Sequence, residues 1–438
     1  MKKTNYELIR KNKKLTAIAI TAISLILVTV ILLVTLLSAN KTVTHNGDLM
    51  ADIGSDRSSG TDIDDEFKTN YSKFCLNLLD DIAFTEYNVG VSLTSVMSSV
   101  ALLGASSDSN AYYEVKKVLG MEPLEIGKKL SSIESRTFYS KENGHGFRGA
   151  NAMFLNGSAM YGVKSKFLKN NKKYFGLMID RELFDDKNAV NRVMEKYKVA
   201  TSYSATTDYE PKVDEYMDIY TISDFVAEWE TCVKTDFNDV AQFEGIRSNF
   251  SVPYITMVSN SAFSGNTYVG ITEKLKGGYT FVGLCPKTNE ENDYYSTVEI
   301  IGELKSTGKF KNMLSDAKKL KVGVKIPCYT NASASNPSIS LVSTLKKMNI
   351  ESLFKEDAGL NGITDDYKAL HLDEFRVSGD VTFSHAGITN DLSKNPKDFS
   401  EEYEKCQDKL TFDHSFPYFI IDNETNLPIY FGIFNNID

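Results

Sequence analysis

Five histidines and five cysteines are all that this 438-residue chain offers for general-base, thiol or metal chemistry. His45 falls in a stretch rich in Gly, Ser and Asp and His145 in a glycine-rich loop, both solvent-facing positions. Cys75, Cys232, Cys285, Cys328 and Cys406 are odd in number and lack Cys-x2-Cys or Cys/His spacing, so neither a zinc site nor a disulfide framework is expected. There is no Gly-x-Ser-x-Gly turn to expose a nucleophile, no Gly-x4-Gly-Lys loop to cradle phosphate and no His-Glu-x2-His pair. No enzyme, metal or cofactor is expected. What remains is a stretch suited to being acted upon. Gly379 to Leu410, rich in charge and hydroxyls, lies between a strand-like run ending at Val377 and a closing pair of strand-like runs from Phe412 to Phe434. A polar loop that long inside a folded domain is either a disordered insertion or a segment presented as bait or for binding.

The elements that must position this loop begin beyond an N-terminal address. Residues 1–14 carry six basic side chains and Glu7, and Leu15 to Ser38 is an uncharged run of 24 residues. About 20 apolar residues span a bilayer, whereas a cleavable signal has an apolar region of about 7–15. Residues 15–38 are therefore expected to be an uncleaved single-pass signal anchor at the cell membrane. The basic residues stay cytoplasmic and the domain faces outside; secretion after cleavage is the alternative. Residues 39–65, poor in apolar side chains, are expected to be a linker, and 66–438 the folded domain. Removing the six positive and one negative charges of residues 1–14 from the net −9 leaves the outer portion at −14, which argues against nucleic acid and against anionic membrane surfaces as partners. Six Asn-x-Ser/Thr triplets, beginning at Asn40, Asn70, Asn156, Asn249, Asn331 and Asn423, matter only where the source glycosylates.

Within the domain the apolar fraction, 42% of the chain, suffices for a real core. Phe67, Tyr71, Phe74, Cys75, Leu78 and Leu79 recur at helical spacing. Val91 to Ala105 is too continuously apolar for a surface helix and reads as a buried one, whose Ser95, Ser98 and Ser99 hydroxyls need partners. Ala150 to Asn156, Ile255 to Phe263, Tyr279 to Leu284, Val298 to Ile301 and Leu320 to Ile326 read as strands. Lys164 to Phe175 is a basic amphipathic helix, and Leu341, Leu345, Met348 and Phe354 mark another. Asp185 to Thr221 has no clear period and reads as an insertion. Helices and strands mix without regular alternation, which points to one α+β unit.

Four segments, in order, resemble the serpin family. The most specific runs from Phe412-Asp413-His414-Ser415-Phe416-Pro417 through Asp422 and Thr425 to Tyr430-Phe431-Gly432, similar to the family's C-terminal signature with Ser415 in place of Pro. Leu341 to Ile363 is similar to the helix and turn before the fifth strand of the main sheet, and Leu320 to Pro327 to the strand before that. Asn88 to Ala105 resembles the buried B helix, and Asn151-Ala152-x-Phe154 the sheet strand after it. The resemblance implies a serpin-like α+β fold, with helices around a large mixed sheet and smaller sheets.

It also implies a monomeric inhibitor of a serine or cysteine peptidase. The target cleaves a reactive loop, which inserts as a new strand of the main sheet and distorts the trapped acyl-enzyme. The alternative is a non-inhibitory serpin-fold binding protein. Aligning Lys368-Ala369-Leu370-His371 with the family's Lys-Ala-x-His places the hinge at Gly379, Asp380, Val381, Thr382, Phe383, Ser384, His385, Ala386 and Gly387. Val381, Phe383 and His385 depart from the family's small residues. Read as one strand, Thr382, Ser384, Ala386, Ile388, Asn390 and Leu392 share a face fit for burial. Family spacing puts the cleaved bond at Asn395-Pro396; because Pro after a scissile bond blocks most peptidases, Lys394-Asn395 is preferred. Counting back from Phe416 gives Glu404-Lys405 instead. The sheet-opening core would comprise Ser95, Ser98, Asn260 and His371. Few residues lie between Gly265 and Gly277, and the family's tryptophan in that region finds no match in this alignment, so part of the third sheet is expected to be missing or rebuilt.

Overall fold

A computed structural model describes residues 24–26, 28–29, 41–54, 57–140, 142–188, 191, 210–233, 235–247, 249–287, 296–330, 338–379, 382–389 and 396–436. Most of the expected span at 15–38 lies outside these. Residues 24–26 and 28–29 are helical, and among the described residues no helix is long and apolar enough to cross a membrane.

The helical layer grows from the spacings noted above. Helix α1 (Asp65–Ile82) buries Phe67, Tyr71, Phe74 and Leu78 on one face, and the Asp64 side chain caps it by accepting from Phe67 N at 2.8 Å. Helix α2 (Leu93–Ser106) is buried on nearly every side; it follows directly from strand β3 (Val89–Ser92) and is capped by Ser92. Helix α3 (Asn110–Leu119) stops at Gly120, whose φ of 69° few other residues adopt, and α4 (Pro123–Thr137) starts on proline.

Beneath α2 lies the main sheet. Strand β16 (Glu374–Gly379) pairs parallel with β7 (Met217–Glu228), from Glu374 opposite Asp218 to Gly379 opposite Ser223. Outward from β16 comes β15 (Ile339–Ser340). From β7 the sheet continues through β4 (Gly146–Asn156) and β6 (Met178–Glu182) to β2 (Gly47–Asp48). The second sheet runs β10 (Ala262–Ser264), β11 (Tyr268–Leu275), β12 (Tyr279–Pro286), β20 (Phe416–Asp422), β21 (Leu427–Phe434), β3. The third is four-stranded: β19 (Asp408–Thr411), β13 (Val322–Pro327), β9 (Asn249–Ser259), β8 (Thr235–Glu244).

Several expectations are corrected. The third sheet is present with four strands, and its β8 and β9 come from the chain just after Trp229. Met217 to Thr221 is no insertion but the start of the central strand; buried Asp218, Thr221 and Ser223 disguise its period, Thr221 and Ser223 bonding to Asn151 and Gly90 on other strands. Val298 to Ile301 belongs to a helix, α5 (Ser296–Thr307), where Thr297, Ile300, Ile301 and Leu304 make the buried stripe. Ile255 to Phe263 is divided between β9 and β10. The expected linker is fastened to the body: β1 (Thr42–Val43) pairs with β5 (Val163–Lys164), β2 edges the main sheet, Leu49 is buried, and Arg57 pairs with Glu134.

Candidate functional site

At the head of the main sheet, β16 passes so close to β3 that a Cβ on Gly379 would stand 2.0 Å from the Gly90 carbonyl oxygen. Asp380 and Val381 lie outside the described residues. The chain then forms β17 (Thr382–Phe383), antiparallel to β14 (Tyr329–Thr330), reverses, and returns as β18 (Gly387–Ile388). Strand β18 is antiparallel to the top of β7, Gly387 opposite Glu228 and Ile388 opposite Ala227. The reversal is closed by Ser384 N to Gly387 O at 2.8 Å and Gly387 N to Ser384 O at 3.1 Å. Gly387 has φ 146°, and a Cβ there would lie 2.3 Å from the Ala227 oxygen, so the turn needs glycine. Strand β18 therefore stands between β17 and β7, above the seam where β16 and β7 pair.

The structure thus makes two arms of what the sequence presents as one strand. Thr382, Phe383, Ser384, His385 and Ala386 are all buried, so the alternating face breaks at the turn. Phe383 explains its own bulk: its ring packs 5.1 Å from that of Tyr418, 5.7 Å from Phe281 and 5.9 Å from Phe434. One short segment clasps the whole feature. Trp229 N donates to Ala386 O at 2.8 Å, Trp229 Nε1 to Ser384 O at 3.1 Å and Val233 N to His385 O at 2.8 Å. The same segment takes the far end of the loop, since Lys397 N donates to Cys232 O at 2.9 Å. Trp229, unmatched in the sequence reading, is the residue that locks the turn.

Lys394 and Asn395 lie outside the described residues. Beyond them the chain is held at the surface. Glu404 ends the short helix α6 (Ser400–Glu404) with Lys405 as its cap, a conformation unlike the extended one a peptidase grips. The acidic run is locally paired: Lys409 to Glu404 at 2.5 Å, Lys405 to Glu401 at 3.7 Å and Lys397 to Glu402 at 3.9 Å. That is a solvated face rather than an open acidic patch.

Under the seam lies a hydroxyl–amide cluster. Asn151 Oδ1, from β4, accepts from Ser99 Oγ at 2.9 Å and Thr221 Oγ1 at 2.8 Å, while its Nδ2 donates to Ser95 O at 3.0 Å. Ser95 Oγ accepts from Ser92 Oγ at 2.9 Å. Ser95 and Ser99 are thus brought together, one helical turn apart on α2. Ser98 faces the other way, beside Thr94 and the Glu134 carboxyl, which burial pushes up in pKa against the pull of Arg57. Asn260 is exposed at the end of β9, far from this cluster in the fold, and the central strand contributes Thr221 to the cluster instead. His371 lies at the foot of the seam. Its ring centroid is 5.1 Å from that of Tyr216, its Nδ1 bonds Ala369 O at 2.7 Å, and Nε2 is 3.0 Å from Asp373 Oδ1. Asp373 in turn accepts from the Tyr216 and Met217 amides at 2.6 and 3.2 Å, so this group staples β16 to β7 at its base. Asn151 and Thr221 were missed; the only signal was that the buried serines required a partner.

A family model for serpin (serine protease inhibitor) matches residues 69–437. Neuroserpin from Homo sapiens is 20% identical over 303 residues, covering 65% of this chain and 72% of neuroserpin. Among solved structures, tengpin, a thermophilic serpin in the native state, superimposes with a TM-score of 0.74 at 19% identity, covering 91% of this chain and 100% of tengpin. Serpin48 from the insect Tenebrio molitor gives 0.71 at 16% identity over 86% and 100%. Thyroxine-binding globulin in complex with thyroxine gives 0.68 at 17% identity over 84% and 98%. At such identities the structural likeness speaks for the fold alone.

Proposed function

The chain belongs to the serpin family, and on that premise we propose that it inhibits a serine or cysteine peptidase, offering the loop between Ile388 and Lys397 as a suicide substrate. The observation that carries this is β18: two residues already stand beside β7 as the start of an added strand, with the β16–β7 seam and its hydroxyl cluster directly below. Insertion then extends a ladder instead of nucleating one. Continuing the register places Asn390 opposite Phe225, Leu392 opposite Ser223 and Lys394 opposite Thr221. Cleavage at Lys394-Asn395, the bond favoured here, frees six residues beyond Ile388, about 20 Å of strand. Travel beyond that requires the β17–β18 turn to open and Phe383 to leave its aromatic nest.

That burial of Phe383 favours a second reading, a non-inhibitory serpin-fold binding protein whose loop is cut without springing. The two separate on incubation of residues 41–438 with a panel of serine and cysteine peptidases. The inhibitor gives an SDS-resistant covalent complex with at least one, and the cleaved protein melts well above the intact one. Clean cleavage throughout, with no gain in Tm, overturns the inhibitor reading. The uncharged run 15–38 after six basic residues further supports a membrane-anchored protein with its domain outside, which alkaline extraction of membranes tests: an anchored chain stays with the pellet, a secreted one does not.

A further inference from the structure

Along β11 the buried side chains Ile271 and Leu275 flank Glu273, so the inward face of the strand carries a carboxylate where its period demands an apolar group. Glu273 is half-buried; its Oε1 is sealed from solvent and has no hydrogen-bond partner among the described residues, and no cation pairs with it there. It lines a cavity of about 750 Å³ beneath the loop's clasp, with Trp229, Met257 and Phe399 as apolar walls and Asn260 at the rim. That volume suits a small organic molecule. Two lysines share the lining, but neither pairs with Glu273 among the described residues: Lys397 Nζ sits 4.3 Å from the Phe399 ring centroid and 3.9 Å from Glu402, and Lys274 is the exposed neighbour of Glu273 on β11.

We propose that this cavity binds a small organic cation, a primary ammonium on an aromatic or apolar body, with the ammonium at the Glu273 carboxylate and the body against Trp229 and Phe399. A carboxylate oxygen sealed from water is costly until a counter-charge arrives, and aromatic faces attract ammonium groups. Burial pushes the Glu273 carboxyl up to about 7, opposed by the Ser259 hydroxyl, which fits a site lacking its counter-charge. This assignment is independent of whether the loop inhibits a peptidase.

Trp229 is the chain's only tryptophan and stands between this cavity and the loop's clasp, so a ligand in the cavity changes its emission. The intact protein is titrated at pH 8 with phenethylammonium and, separately, with phenylacetate, which keeps the ring and reverses the charge. A saturable change in emission with the cation and none with the anion is expected. Glu273→Gln, which removes the charge at constant shape, should weaken binding at least about tenfold. Asn260→Phe, at an exposed rim position, should block entry without touching the carboxylate. No saturable response to phenethylammonium, an equal response to phenylacetate, or unchanged binding in both variants overturns the proposal. Should Glu273→Gln fail to fold, Asn260→Phe and the anion comparison still decide it.

Discussion

The two ends of the loop are fastened to the same segment, Trp229 to Val233, by different physics. On the near side Thr382 to Ile388 is buried, hydrogen-bonded through a closed turn and anchored by Phe383 among aromatic rings. On the far side the Lys397 amide bonds Cys232 O, and the helix after it lies on the surface among exposed ion pairs with only the Tyr403 side chain of that helix buried. Burial of a phenyl ring contributes several kcal/mol, and exposed pairs contribute tenths. The near end is thus a fixed pivot and the far end a light tether. Cutting between them releases the tether, and how far the new strand runs is decided at the pivot.

The largest expected effect comes from removing the pivot. Phe383→Ala should destabilise the native fold by about 3–5 kcal/mol, read as a loss in Tm or denaturant midpoint. A cost below about 1 kcal/mol would place Phe383 outside the core and dissolve the contrast. Under the inhibitor reading the same variant should raise the fraction of peptidase trapped, because the turn opens more readily. Next comes Gly387→Val. A β-branched residue at φ 146° with the Ala227 oxygen 2.3 Å from its Cβ cannot keep β18 paired, so about 1–3 kcal/mol of stability and the trapping of peptidase should be lost together. If trapping survives, β18 is not where insertion starts.

The location of the loop was legible in the sequence because its borders are strong: β16 before it and Phe412 to Phe434 after it carry dense apolar patterns. Its shape was not. Thr382, Ser384, Ala386 and Gly387 are small enough to pass as one extended hinge, and nothing local says that Ser384 and Gly387 close a turn. Phe383 looked out of place for the same reason; its partners Phe281 and Tyr418 are distant in sequence. The hydroxyl cluster was half legible. The apolar run of a buried helix announced that Ser95, Ser98 and Ser99 need partners, without telling which of them faces the seam, and Asn151 and Thr221 meet only through the pairing of β4 with β7. Asn260 was matched to the family's asparagine on a central strand, and the fold puts its strand in another sheet.

Within the seam the contrast repeats on a smaller scale. Asn151→Leu would strand the Thr221 hydroxyl in a dry interior while Ser99 keeps its bond to Ser95 O, at about 1–3 kcal/mol, and should loosen the middle of the seam. Its foot is held by His371 and Asp373, and here pH is the lever. The hydrogen bond to Asp373 raises the His371 pKa above its ordinary 6.5. Burial raises the Asp373 pKa, but hydrogen bonds from His371 and from the Tyr216 and Met217 amides more than offset that and hold it below 3.8. A raised histidine stabilises the fold fully below about pH 6.5, and that contribution is lost as pH rises through its folded value. A depressed carboxyl stabilises above about pH 3.8, and that contribution is lost as pH falls through its folded value. The staple is therefore strongest between these limits. His371→Asn should cost about 0.5–1 kcal/mol near pH 5.5 and progressively less in alkaline solution, measured as the difference in Tm from the parent across the pH range. A difference that stays constant from pH 5 to 9 would mean that the ring's packing on Tyr216, and not its charge, holds the foot of the seam.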